Sequence, residues 1–302
     1  MSSVLLRGLA LAGITLAIAG CGHLPASATV RGVRVVAAEN FWGSIARQLG
    51  GRRATVTSII SSPAQDPHAY EPTAADARTM AEAQLAIVNG VGYDPWAPRL
   101  LAADPTDGRT VLAVGRLLGL YPGDNPHRWY DPADVDRVAA AVAAALARLD
   151  PRHARYYAQR LHTFQTVALA PYDALIAAIR RRFAGQPVGA SESVFALQAP
   201  ALGLKLITPA GFMRAVSEGT EVTAQDAASA ERQITGHAIR VWIENRQNLT
   251  PEIQRLNGLA RTAGIPITTV TETLTPPGAS FEQWQTRQLA SLAAALHEAT
   301  GR

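Results

Sequence analysis

Runs of β-branched and apolar residues alternate with stretches of helical spacing along almost the whole chain, and this alternation restricts the possible folds more than any other feature. Val33–Ala38, Ala54–Ile60, Leu85–Asn89 and Thr110–Val114 read as strands, with helices expected over about 41–50 and 74–83. Strands that alternate with helices build βαβ units and a parallel sheet, because each helix returns the chain to start the next strand in the same direction. From Asp134 the pattern changes. Val135, Val138, Val142, Ala145, Leu146 and Leu149 recur at three- and four-residue steps, which marks one apolar helix face. Residues 152–183 contain a single proline, Pro171, and are expected to form one long helix, bent or restarted there. A second alternation follows, with strands over Pro187–Ser191, Leu204–Ile207, Ala238–Ile243 and Ile265–Val270 and helices near 224–234, 251–263 and 280–299. The expected fold is therefore α/β, with two lobes that each hold a four-stranded, mostly parallel sheet and flanking helices, joined by a long rigid helix. The first lobe takes residues 33–150, the connecting helix 151–185 and the second lobe 186–302. No short-period repeat is present, which excludes solenoids and propellers.

Residues 1–20 stand outside that pattern. Arg7 places a positive charge ahead of Leu9–Ala19, an apolar stretch too short for a comfortable membrane span. The stretch ends in Ile18-Ala19-Gly20-Cys21, small residues directly before the sole cysteine, and resembles the lipobox cut by lipoprotein signal peptidase. An ordinary secretory signal with an incidental cysteine, or an uncleaved anchor, is the plainer alternative. On the lipobox reading 1–20 is a lipoprotein signal peptide, Cys21 is the lipidated first residue of the mature protein, and 21–32 is a tether. The protein is then extracytoplasmic and lipid-anchored to the cell membrane, at the cell surface or on its periplasmic face. A single cysteine also excludes an intramolecular disulfide and a Cys-rich zinc cluster. The net charge is +4, and all but Lys205 of the 28 basic residues are arginine. These arginines are scattered and not interleaved with aromatics, so nucleic acid is not an expected partner. A mild positive charge beside anionic lipid accounts for it more simply.

Two loops carry the chemistry. Asp66-Pro67-His68-Ala69-Tyr70-Glu71-Pro72-Thr73 follows the Ala54–Ile60 strand, and its prolines stiffen the backbone around one imidazole. Thr73 and Asp76 have the spacing of a capping box for the next helix. The second loop, Asn125-Pro126-His127-Arg128-Trp129-Tyr130-Asp131-Pro132, follows the Thr110–Val114 strand. In open parallel sheets ligands bind beyond the carboxyl ends of the strands. In the second lobe Glu192 follows the 187–191 strand and Glu272 lies two residues past Val270. His68, His127, Glu192 and Glu272 would thus stand at strand ends, two per lobe, facing one cleft. Imidazole and carboxylate donors suit a divalent first-row metal. Each has a plainer reading: the histidines as solvated loop residues, Glu192 as a cap for a helix near Ser193. Asp66 is a candidate acceptor for the N–H of a ligating imidazole. Glu71 is assigned to ordering its loop, and Glu244, after the Ala238–Ile243 strand, to a structural role.

D-P-H-A-Y-E-P-T and N-P-H-R-W-Y-D-P resemble the two histidine motifs of the substrate-binding lipoproteins of zinc and manganese ABC transporters, the metal-binding cluster A-I (ZnuA/TroA-like) family. The resemblance covers nearly all of the mature chain. It implies two α/β lobes joined by a rigid helix, with one metal held between them as cargo and passed to an ABC permease by a monomeric protein. It also implies a His or Glu at position 192 and usually an Asp at position 272, where this chain has the longer glutamate. Many zinc-binding members carry a His-rich loop between the motifs, and residues 117–124 here contain no histidine. That makes manganese the narrow preference over zinc, although zinc has the higher intrinsic affinity at such donors. Two other function classes compete. A metal-dependent hydrolase would use the same ligands with Glu244 or Glu71 as base, but HExxH and G-x-S-x-G motifs are both absent. A surface adhesin lipoprotein would keep the fold without transport.

Overall fold

In the first lobe, strands Val33–Glu39 (β1), Ala54–Ile60 (β2), Leu85–Val88 (β3) and Thr110–Ala113 (β4) alternate with helices Asn40–Gly50 (α1), Ala74–Ala81 (α2), Trp96–Ala103 (α3) and Val114–Leu118 (α4). The structure is a computed structural model that describes residues 32–65 and 70–302. Cys21, the signal segment and nearly all of the tether lie outside the described residues, as do Asp66 and His68. The four strands form one sheet in the order β2-β1-β3-β4, every pair parallel. Val35, Ala37, Leu85 and Ile87 face one apolar cluster, while Val36, Ala38, Ala86 and Val88 face a second cluster on the other side. Burial on both faces explains the continuous apolar runs of β1 and β3.

The second lobe repeats this plan. Pro187–Ala190 (β5), Lys205–Leu206 (β6), Val241–Asn245 (β7) and Ile267–Val270 (β8) pair in the order β6-β5-β7-β8, again all parallel. In each sheet the chain leaves its first strand to one side and returns to the other. This places a switch point between the carboxyl ends of β1 and β3, and another between those of β5 and β7. The strand expected over 238–243 runs instead from Val241 to Asn245. Its end is extended because the N–H of Asn245 donates to Ser191 Oγ at 2.8 Å.

The connection between the lobes is helical but not one helix. Pro132–Leu149 (α5) is followed by a 3₁₀ turn at 151–153, Ala154–Thr163 (α6), a π-helical turn at 164–168 and Ala170–Phe183 (α7). Pro171 lies in the first turn of α7, where a missing N–H costs little. Its ring crowds the carbonyl four residues back, so the ladder widens just before it and Leu169 N–H reaches Phe164 O at 2.9 Å. The break expected at Pro171 is therefore spread over the preceding five residues.

The second lobe is completed by Ala199–Leu202 (α8), Ala210–Ser217 (α9), Ala224–Thr235 (α10), Pro251–Thr262 (α11) and Phe281–Thr300 (α12). A single apolar cluster runs from α1 and α5 through α6 and α7 to β5, β7 and α12. Three polar side chains on one face of α1, four residues apart, seam the lobes together. Asn40 Oδ1 accepts Leu274 N–H at 3.1 Å, Ser44 Oγ accepts Phe281 N–H at 2.9 Å, and Gln48 Nε2 donates to Glu282 Oε2 at 2.8 Å. No described helix is long and apolar enough to cross a membrane.

Candidate metal centre

His127 is held by a turn whose sequence leaves it little freedom. Asn125 Oδ1 accepts both the backbone N–H of His127 at 3.0 Å and its ring Nδ1 at 2.8 Å. Asn125 is itself oriented by donating Nδ2 to Ser193 O at 2.7 Å. A carbonyl oxygen can only accept, so the proton sits on Nδ1 and Nε2 is left as the basic nitrogen. Nε2 faces Glu272 Oε2 at 3.8 Å. Behind the ring, buried Trp129 lies 5.2 Å away edge-on, and Phe41 stacks on Trp129 at 3.8 Å. After His127 the chain makes a 3₁₀ turn at 128–130, and Asp131 then caps α5 by accepting the N–H of Ala133 at 2.9 Å.

The two carboxylates come from the far lobe. Glu192 lies two residues past the end of β5 and occupies the residue before a 3₁₀ turn, but its side chain makes no capping bond there. Instead its Oε2 accepts Asn248 Nδ2 at 2.8 Å. Glu272, past the end of β8, takes Asn245 Nδ2 on Oε1 at 2.7 Å and the Tyr93 hydroxyl on Oε2 at 2.9 Å. Tyr93 belongs to the first lobe, so this last bond crosses the cleft. Burial, with Glu272 and Glu39 nearby, holds the Tyr93 phenol well above its usual range and keeps it a donor. His127, Glu192 and Glu272 are 0%, 1% and 6% exposed, and one donor atom from each lies within 4.8 Å of the others.

Two buried carboxyl groups this close repel each other when both are ionised, and a bound cation or a retained proton relieves that repulsion. Donors on opposite sides of one ion stand ~4.2 Å apart at bond lengths of ~2.1 Å. The three residues can thus close on a divalent ion with small side-chain shifts.

The other carboxylates separate clearly. Glu244 lies in β7 and accepts a hydrogen bond from Asn257 of α11. Glu71 is exposed. His153 bonds Asp150 at 2.8 Å, and His237 reaches Ala263 O at 2.8 Å. His68 and Asp66 lie outside the described residues, and both flanks of their loop are anchored. Gln247 Nε2 donates to Pro63 O at 2.7 Å and to Thr273 Oγ1 at 2.9 Å, which ties the start of the loop to the residue beside Glu272. On the other flank the Thr73–Asp76 capping box is present, and Tyr70 donates to Asp76 at 2.9 Å. The sequence reading missed Tyr93, Asn125, Asn245 and Asn248. The one local signal was a tyrosine in a glycine-rich turn after a buried strand.

Two α/β lobes with a buried imidazole–carboxylate cluster between them define the class by architecture: a two-lobed α/β fold whose strand ends converge on one cleft. A family model described as ZnuA, zinc-uptake complex component A, periplasmic, matches residues 35–295, and the chain belongs to that family. The manganese-binding lipoprotein MntA of Halalkalibacterium halodurans is 29% identical over 151 residues, 48% of this chain and 49% of that protein. The iron-binding protein YfeA of Yersinia pestis is 28% identical over 192 residues, 59% of this chain and 60% of that protein. The chain spans about half the length of the curated relatives it matches. Among solved structures, the Mn-bound periplasmic metal-binding protein from Candidatus Liberibacter asiaticus superposes with a TM-score of 0.73 at 18% identity, covering 87% of this chain and 99% of that one. That likeness is one of fold.

Proposed function

We propose that this protein is the extracytoplasmic solute-binding component of a metal-uptake ABC transporter. It captures a divalent transition metal between its lobes and hands it to a permease. The observation that carries the reading is the buried cluster of His127, Glu192 and Glu272, which is drawn from both lobes and brings one imidazole and two carboxyl groups within 4.8 Å of one another. His68 is the fourth ligand on this reading, supported by its motif and by the anchoring of its loop against Thr273. Asp66 is its hydrogen-bond acceptor. Manganese is the preferred cargo over zinc. Two carboxylates among four donors, with no thiolate, make a hard site, and a relative that covers half of the chain is named for manganese binding. Cys21 carries the lipid anchor, and the protein works as a monomer at the membrane surface.

Isothermal titration of the metal-free protein with Mn2+ and Zn2+, beside His127→Ala and Glu272→Ala, tests the reading. Each substitution removes one ligand and leaves the rest of a buried charged cluster uncompensated, so each is expected to weaken binding at least ~100-fold. Wild-type affinity in both variants would end the assignment. Elemental analysis of protein purified without added metal then decides between manganese and zinc.

A further inference from the structure

Two buried carboxyl groups outside the metal cluster meet at the first lobe's switch point. Glu39 ends β1 and Asp94 follows β3, and both are 0% exposed. Asp94 accepts the backbone N–H of Asn89 on one oxygen and of Gly90 on the other, each at 2.7 Å. No N–H or O–H of another residue is donated to either oxygen of Glu39 among the described residues. The Asp94 carboxyl is the neighbouring side chain that acts on the Glu39 carboxyl, both through its charge and by hydrogen bonding. Two carboxyls bond each other only if one keeps its proton. Asp94 has both oxygens occupied by N–H donors, which favours its ionised form, so the proton belongs to Glu39. Burial first, and the charge of Asp94 second, hold the Glu39 carboxyl well above the usual range, while burial raises Asp94 only to about 6.

The turn that Asp94 clamps is unusual and reaches the cleft at two points. Gly90, Val91 and Gly92 have φ of 77°, 56° and 80°, three successive residues in the left-handed region. A β-branched valine takes that conformation only where its surroundings impose it. Asn89 is oriented by Trp42, whose Nε1 donates to its Oδ1 at 3.0 Å, and its Nδ2 donates at 3.0 Å to the carbonyl of Pro126, the residue before His127. At the other end of the turn stands Tyr93, bonded to Glu272. One short segment thus touches the supports of a donor from each lobe.

We propose that Glu39 is a positioning residue for cargo binding: by donating its hydrogen bond to Asp94 it locks the 89–94 turn, and through Asn89 and Tyr93 that turn sets His127 and Glu272 around one ion. This role rests on the reading of the cleft as a metal site. It predicts a split between two substitutions at one position. The amide of Glu39→Gln still donates to Asp94, whereas Glu39→Ala leaves Asp94 alone in a dry site.

Titration of the full chain with Mn2+ should find Glu39→Gln within about threefold of wild type and Glu39→Ala weaker by ~10–100-fold, the range typical of residues that orient metal ligands. Equal affinity of wild type and Glu39→Ala overturns the proposal, and so does a Glu39→Gln variant as weak as Glu39→Ala. Infrared difference spectra of the metal-free protein at neutral pH supply a readout that needs neither metal nor a folded alanine variant. A band from a buried protonated carboxyl should be present in wild type and lost in Glu39→Gln; its absence from wild type overturns the proposal. If wild type itself fails to bind metal, the cleft reading falls, and the infrared band still decides whether Glu39 is the donor.

Discussion

Tyr93 is where the chemistry of the two lobes meets at the scale of a residue. Its hydroxyl crosses the cleft to one oxygen of Glu272, while Asn245 of the far lobe holds the other oxygen. Both neutral donors orient the Glu272 carboxyl without adding a positive charge beside it. Hydrogen bonds to charged groups contribute ~1.5–3 kcal/mol. Tyr93→Phe is therefore expected to weaken Mn2+ binding by about tenfold or more and to leave the fold intact, because the ring still fills its place beside Phe41 and Trp129. Calorimetric titration of that variant, with its circular dichroism spectrum as control, checks both halves of the statement. His127 shows the same logic with an imidazole: Asn125 decides which nitrogen carries the proton, and the basic one faces the carboxylates.

At the scale of the element, the helices do more than fill space around the sheets. The α1 side chains Asn40, Ser44 and Gln48 lie on one face by their spacing, and that face is the seam between the lobes. Helix α5 starts at Pro132, just after its cap Asp131 four residues past His127, and its first turn is fixed by that cap, by Pro132 and by the pairing of Arg128 with Asp134. Losing an N-cap acceptor costs ~1 kcal/mol. Asp131→Ala should lower stability by about that amount in urea unfolding, with an unchanged dependence on denaturant concentration. The Asp131 cap was not read from the sequence, whereas the Thr73–Asp76 box could be read in advance, because capping depends on residues three positions apart. The π-helical turn before Pro171 could not. Pro171 announces a break, but where the strain is absorbed depends on how Phe164 and Leu169 pack in the shared core.

At the scale of the whole molecule, one apolar core passes beneath both sheets, so the two halves of the site are held by a common support. A ligand that binds only the folded form raises stability by mass action, by ~2.7 kcal/mol at a hundredfold excess over its dissociation constant. Mn2+ should accordingly raise the melting temperature of wild type and have little effect on His127→Ala, measured by differential scanning calorimetry with and without metal. The order of strands and helices, the two lobes, the Thr73–Asp76 cap and the four candidate donors follow from the sequence alone, because they depend on periodicity and on motifs a few residues long. The partners of those donors do not. Tyr93 and Glu272 are 179 positions apart and Asn248 and Glu192 are 56, separations over which no local pattern carries information. Only the packing of one lobe against the other brings them within hydrogen-bonding distance, and so only the tertiary structure decides that three buried donors face one another closely enough to share an ion.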